Sequence, residues 1–136
     1  MNLDDALKFI LGSIKKEPQE EVIRTNESLG RILAMDLKSI KNIPPFDNSQ
    51  VDGYAVNSQD SFSEIFPISQ RIPAGSTTNP LERGTTARIF TGAIIPENSD
   101  AIVMQEDVDL FEGKVKFSKK INPGQNIRKK GSDLRA

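Results

Sequence analysis

The chain has 136 residues, a net charge of −1, 36% hydrophobic and 27% charged residues, and neither cysteine nor histidine. Disulfides, thiolate metal sites, cysteine nucleophiles and the usual imidazole base or zinc ligand are therefore excluded, leaving Asp, Glu, Lys or Tyr for any acid–base or metal chemistry. A near-neutral total argues against nucleic-acid binding by phosphate neutralisation, and no apolar run approaches the roughly 20 residues that span a bilayer. The first 14 residues carry two acids and no basic stretch, unlike a signal peptide. A soluble, cytoplasmic protein with no nucleic-acid or membrane partner is the expectation.

In chain order, Leu3, Leu7, Ile10, Leu11 and Ile14 recur at helical spacing and predict an amphipathic helix. Asn2 can cap it, Asp4 and Asp5 suit its positive end, Lys15 and Lys16 its negative end, and Pro18 closes it. A short strand is expected around Val22 and Ile23, then a single helical turn from Asn26 ended by Gly30, then a strand over 31–37. From Ile43 onward Pro, Gly, Asn and Ser punctuate short β-prone runs: Gly53–Val56, Ile65–Ile72, 85–91, 101–106, Val108–Phe111 and Lys114–Phe117. Glu112-Gly113 between the last two reads as a hairpin turn.

The expected fold is α+β and mostly β. A helix and strands belonging to an incomplete first domain (1–42) precede a curled, barrel-like all-β domain (43–127) and a last segment, 128–136. Residues 112–136 carry eight basic against two acidic residues, a local charge of +6 that leaves −7 elsewhere. For Lys114 to Lys120 a solvated strand face is the simple reading. Arg128 to Lys130, close to two glycines and an aspartate, fit an anion site better.

The densest segment is 43–56. Pro44 and Pro45 stiffen its approach, Asp47, Asn48 and Ser49 can hold a tight turn through side-chain bonds to the backbone, and Asp52-Gly53 can admit a positive φ before Tyr54 and Val56. The expected product is a rigid loop presenting Asp47 and Asp52 at a sheet edge. Taken alone, these residues fit turn formers better than catalysts, because Asp and Asn commonly serve only to hold turns.

This segment, with Phe46-Asp47-Asn48-Ser49 and Asp52-Gly53-Tyr54-Ala55-Val56, resembles the signature of the MoeA family, molybdopterin molybdotransferases that also include the gephyrin E domain. Three more matches follow the same order: Leu29 to Ala34, Arg88 to Ala93 continuing through Pro96 and 100–106, and Gly124 to Asp133. Two departures are local: Ser132 stands where the family usually has Glu, and Phe90 where Met is common. The resemblance implies further parts after Ala136: the rest of the first domain, to which 128–136 would return, a pterin-binding α/β domain, and a C-terminal β domain.

The implied reaction inserts molybdenum from molybdate into the dithiolene of adenylated molybdopterin, with AMP released and Mg²⁺ assisting. Hard cations take oxygen ligands, and the thiolates belong to the pterin, so a chain without Cys or His suits this chemistry. By resemblance, Asp52, Thr91 and Asp133 are catalytic, Asp52 and Asp133 orienting the metal or its water. Gly92, Arg128, Lys129 and Ser49 are placed as substrate-binding. The implied cleft lies between the β domain of one subunit and the pterin-binding domain of another, so a homodimer is expected and this chain alone should not turn over. Structural readings stay open: Thr91-Gly92 as a strand end, Glu106 as a partner for a lysine, Tyr54 as packing. So does a different class, a non-catalytic β module that docks a partner protein. A nucleic-acid-binding barrel would need exposed aromatics among the basic residues, and only Phe117 lies near them.

Overall fold

In a computed structural model, residues 2–14, 19–60 and 65–136 are described. The chain divides into two units, Met1–Leu37 and Lys38–Ala136.

The first unit contains one helix, α1 (Leu3–Ser13). Asn2 caps it as expected, its Oδ1 accepting from the Asp5 N–H at 2.8 Å, with Asp4 and Asp5 in the first turn. The expectations for Lys15, Lys16 and Pro18 fall outside the described residues. A single 3₁₀ turn at Thr25–Glu27 is followed by Gly30 at φ 81°. The expected strands at Val22–Ile23 and over 31–37 do not form. Apolar alternation yields a strand only where a second strand completes its ladder, and no segment pairs with either run among the described residues. No described residue of this unit is buried. None of its helices, nor any other described helix, is long and apolar enough to cross a membrane.

The second unit is a mixed, curled six-stranded sheet in the spatial order 101–104, 53–56, 86–89, 65–72, 114–117, 108–111. Its strands are β2 (Gly53–Val56), β3 (Ile65–Ile72), β4 (Thr86–Ile89), β5 (Ala101–Met104), β6 (Val108–Phe111) and β7 (Lys114–Phe117). A separate antiparallel pair joins β1 (Asn48–Ser49) to β8 (Ile127–Arg128). Four of the expected strands have the expected limits. The other two stop short, β4 at Ile89 and β5 at Met104, where a 3₁₀ turn (Gln105–Asp107) follows. The β6–β7 hairpin turns at Glu112 and Gly113, both at positive φ. The curl originates in β3, which pairs with β7 through Ile65–Pro67 and with β4, in parallel, through Ile68–Ile72, with a register slip between Ile68 and Gln70.

Burial on both faces explains why β2 reads as a continuous apolar run. One face collects Tyr54, Val56, Ala101, Val103 and Val115, with Phe66 and Phe117 ring to ring at 5.5 Å. The other collects Ala55, Ile72, Ala87, Ile89, Ile102 and Ile127. The buried Thr86 hydroxyl donates to the Ala55 carbonyl at 2.8 Å, so this sheet leaves it no unmet polar group. Gly53 is needed for a different reason from the one the Asp-Gly pair suggests. Its φ is not positive; a Cβ there would lie 2.0 Å from the Val103 carbonyl oxygen, because β5 crosses directly against it.

Candidate functional site

The loop 46–52 threads between two other segments and fixes both. Ser49 donates its N–H to the Ala93 carbonyl at 2.9 Å and accepts from the Gly92 N–H at 2.8 Å, while Asp47 accepts through its carbonyl from Ile95. On the other side Asn48 and Ser49 pair with Arg128 and Ile127, and the Gln50 N–H reaches the Asn126 carbonyl at 3.0 Å. The Ser49 hydroxyl is buried and donates to the Val51 carbonyl at 2.6 Å, so it fixes the turn. This network brings Ser49, Thr91, Gly92 and Arg128, far apart in sequence, around one loop.

At the end of that loop Asp52 Oδ1 accepts two hydrogen bonds from one residue, the Thr91 N–H at 2.8 Å and the Thr91 hydroxyl at 2.7 Å. Both bonds favour the ionised form and, with the Arg88 charge, hold the Asp52 carboxyl below the ordinary aspartate value of 3.8. No described residue bonds Oδ2. Gly92 follows at φ 82°, a conformation that frees its N–H for Ser49, and a Cβ there would meet the Ala74 methyl at 3.8 Å.

Arg88 lies beneath this pair. Its guanidinium donates to the Gly53 carbonyl at 3.0 Å and to Gln105 Oε1 at 2.5 Å, and it stacks on the Tyr54 and Phe90 rings at 5.1 and 4.6 Å. Gln105 in turn donates its N–H to the Asp52 carbonyl at 3.1 Å and its amide to Glu106 at 3.2 Å. Glu106 thus meets an amide here, and Tyr54 packs in the core.

The basic segment after β8 is engaged by acids. Arg128 pairs with Asp133 Oδ2, whose other oxygen accepts from the Ser132 hydroxyl at 3.0 Å. Lys129 Nζ reaches Asp47 Oδ2 at 2.8 Å, and the Lys130 N–H reaches Asp47 Oδ1 at 2.7 Å. Burial pushes the Asp47 carboxyl up, but the Lys129 bond, the Lys130 N–H and the two lysine charges together bring it below the ordinary value. The chain past β8 lies against 42–44: Gly131 donates to the Pro44 carbonyl, Asp133 to that of Ile43, and Ile43 back to that of Leu134.

Asp52 and Asp133 therefore hold separate partners, Thr91 and Arg128. Among the described residues no three His, Cys, Asp or Glu side chains converge on a point. A cation that keeps its waters and takes one or two carboxylates beside substrate phosphates, as Mg²⁺ does, fits the open oxygen of Asp52 better than Asp133, both of whose oxygens are committed.

In the sequence Asp47 stands out only as a turn carboxylate, Gln105 and Asn126 lie within matched motifs without a role of their own, and Arg71 carries no signal. Asn126 adopts φ 56° and donates its amide to the Ile102 carbonyl at 2.9 Å, holding the entry to β8. Asn126 stands within the last motif and Arg88 at the head of the second, but neither sequence context tells what the side chain bonds.

The curled, mostly β architecture agrees with the fold that the resemblance implied. The whole chain, residues 1–136, matches the family described as the MoeA N-terminal region (domain I and II), and it belongs to that family. The chain is 38% identical to the molybdopterin molybdenumtransferase of Haemophilus influenzae, over 99% of this chain and 34% of that protein. It is 32% identical to gephyrin of Dictyostelium discoideum, over 97% of this chain and 21% of that one. The crystal structure of the molybdopterin biosynthesis moeA protein of Pyrococcus horikoshii OT3 superposes with a TM-score of 0.83 at 32% identity, covering 97% of this chain and 37% of the other. The chain thus spans about a third of the length of the bacterial and archaeal relatives.

Proposed function

We propose that this chain supplies the β-domain side of a shared active site in an enzyme that inserts molybdate into adenylated molybdopterin and releases AMP. The observation that carries the reading is the Asp52–Thr91 pair: one carboxylate oxygen is saturated by two donors of a single residue and the other is left open. The names of the Haemophilus relative and of the Pyrococcus structure favour this chemistry over other uses of the same loop.

In this reading Asp52 is the ligand or orienting group for Mg²⁺, and Thr91 keeps it ionised and aimed. Mg²⁺ when bound would neutralise charge on the pyrophosphate bond as it breaks. Asp133 holds Arg128 in place through their ion pair, and Asp47 does the same for Lys129. Those two cations attract the anionic substrate and return to their carboxylates when it leaves. Gly92 leaves the backbone beside Thr91 uncovered, and Ser49 shapes the loop from within. A cleft completed by a pterin-binding domain of a second subunit makes the working form a homodimer in the cytoplasm, with no nucleic-acid or membrane partner.

The test mixes this chain with a separately produced pterin-binding remainder and follows molybdate-dependent AMP release from adenylated molybdopterin. Restored release is expected, and its loss without unfolding in Asp52→Ala and Asp133→Ala. No release from folded, associated pieces, or near-normal turnover in both variants, overturns the reading and leaves the chain a docking module.

A further inference from the structure

Arg71 is exposed, and among the described residues it has no hydrogen bond and no carboxylate partner. The parallel register places it directly beside Arg88, on the same face of neighbouring strands. Both guanidiniums stack on the Phe90 ring, that of Arg71 at 4.7 Å and that of Arg88 at 4.6 Å. Like charges set side by side on a sheet repel, and neutral acceptors take up the donors of Arg88 without cancelling its charge. Neither carboxylate of this region pairs with Arg71: Asp52 is bonded by Thr91 at Oδ1 and feels the Arg88 charge, and Glu106 accepts from the Gln105 amide.

We propose that Arg71, with Phe90 and Arg88, forms a binding site for a tetrahedral oxyanion, Arg71 being its principal donor. Stacking on Phe90 restrains the guanidinium plane and so lowers the entropic cost of presenting its fork of N–H groups to two oxygens at once. Phe90 is itself fixed, its N–H bonded to the Ile72 carbonyl at 3.2 Å. Two residues past Phe90, Gly92 carries no side chain, and its nearest neighbour on that side is the Ala74 methyl. Arg88 adds a second positive charge that is held in place by its own bonds. The identity of the anion rests on the proposed reaction, where molybdate and the diphosphate of an adenylated pterin share this chemistry; the existence of the site does not.

The test is an NMR titration of the ¹⁵N-labelled chain with sodium pyrophosphate and, separately, sodium molybdate, at ionic strength held constant with chloride. Saturable shifts are expected at the Phe90, Thr91 and Gly92 amides and at the Arg71 Nε–H. Binding should weaken about tenfold in Arg71→Gln, the loss of one charge-assisted pair, and stay unchanged in Lys120→Gln. Stronger response to pyrophosphate assigns the site to the diphosphate, and stronger response to molybdate assigns it to the metal oxyanion. Shifts that fail to saturate, that spread over Lys114 to Lys120, or that persist equally in Arg71→Gln overturn the proposal. Oxyanion binding here without AMP release in the mixing assay keeps the site and rejects the reaction; AMP release unaltered by Arg71→Gln, with no oxyanion binding, does the reverse.

Discussion

In the unit from Lys38 onward, apolar strand residues, continuous in β2 and alternating in β7, fill cores on both faces of one sheet, whereas in the first unit apolar residues at helical period build α1 and bury none of it. Local pattern was enough for α1 and for most strands of the sheet, but not for the expected strands at 22–23 and 31–37, which do not form. Burial came only where strands from distant parts of the chain supplied a facing surface, and burial is what stabilises. The sharpest break of this comparison is a matched pair of truncations. Ile102→Ala, at a fully buried site between Gly53 and Asn126, is expected to cost about 4 kcal/mol in urea unfolding, counting both transfer and cavity. Leu7→Ala, at a side chain more than half exposed, should cost less than about 1 kcal/mol. Equal losses would mean that α1 is as well buried as β5, and the contrast would fall.

Glycines sharpen the same contrast. Gly53→Ala puts a methyl into the Val103 carbonyl and must push β2 and β5 apart, an overpacking expected to cost about 3 kcal/mol. Gly12→Ala in α1 meets nothing within 4 Å and replaces the poorest ordinary helix former by the best, so it should raise helicity and stabilise by up to about 1 kcal/mol. Circular dichroism and unfolding midpoints of the two variants check the opposite signs. A tolerated Gly53→Ala would show that the strands can separate there at little cost.

Legibility follows sequence distance. The Asn2 cap, the Glu112-Gly113 hairpin and the limits of β2, β3, β6 and β7 depend on neighbours within a few residues, and all could be read directly. The parallel β3–β4 register, which sets Arg71 beside Arg88, has no local signature, because parallel strands are joined by a long crossover rather than by a tight turn that fixes the pairing. The Asp47 link to Lys130 spans 83 positions and is likewise silent. Alternation over 31–37 predicts a strand, but pattern reports which face could be buried, not whether a partner exists. Asp-Gly at 52–53 was read as a turn signal, while the structure uses glycine there for close approach of two backbones. At the candidate site, the motifs named Asp52, Thr91, Gly92 and Arg128; the bonds among them needed the fold.

The smallest effect tests the two carboxylates of the loop against each other. Asp47 and Asp52 both sit below the ordinary value of 3.8, so each contributes stability that is complete above that value and is lost as pH falls through the lowered one. Their causes differ: Asp47 depends on two lysines, Asp52 mainly on the uncharged donors of Thr91. Added salt should therefore raise the Asp47 midpoint more than that of Asp52, while Thr91→Val should raise Asp52 alone, leaving it the backbone N–H. Carbon-detected NMR titration of both carboxyls from pH 6 to about 2, at two salt concentrations, reads each separately. The Asp47–Lys129 pair is largely exposed, so Lys129→Gln should cost less than about 1 kcal/mol at neutral pH, and nothing once Asp47 is protonated. If Thr91→Val left the Asp52 midpoint where it was, the hydroxyl would be a bystander and the carboxylate would be held by its backbone donor and Arg88 alone.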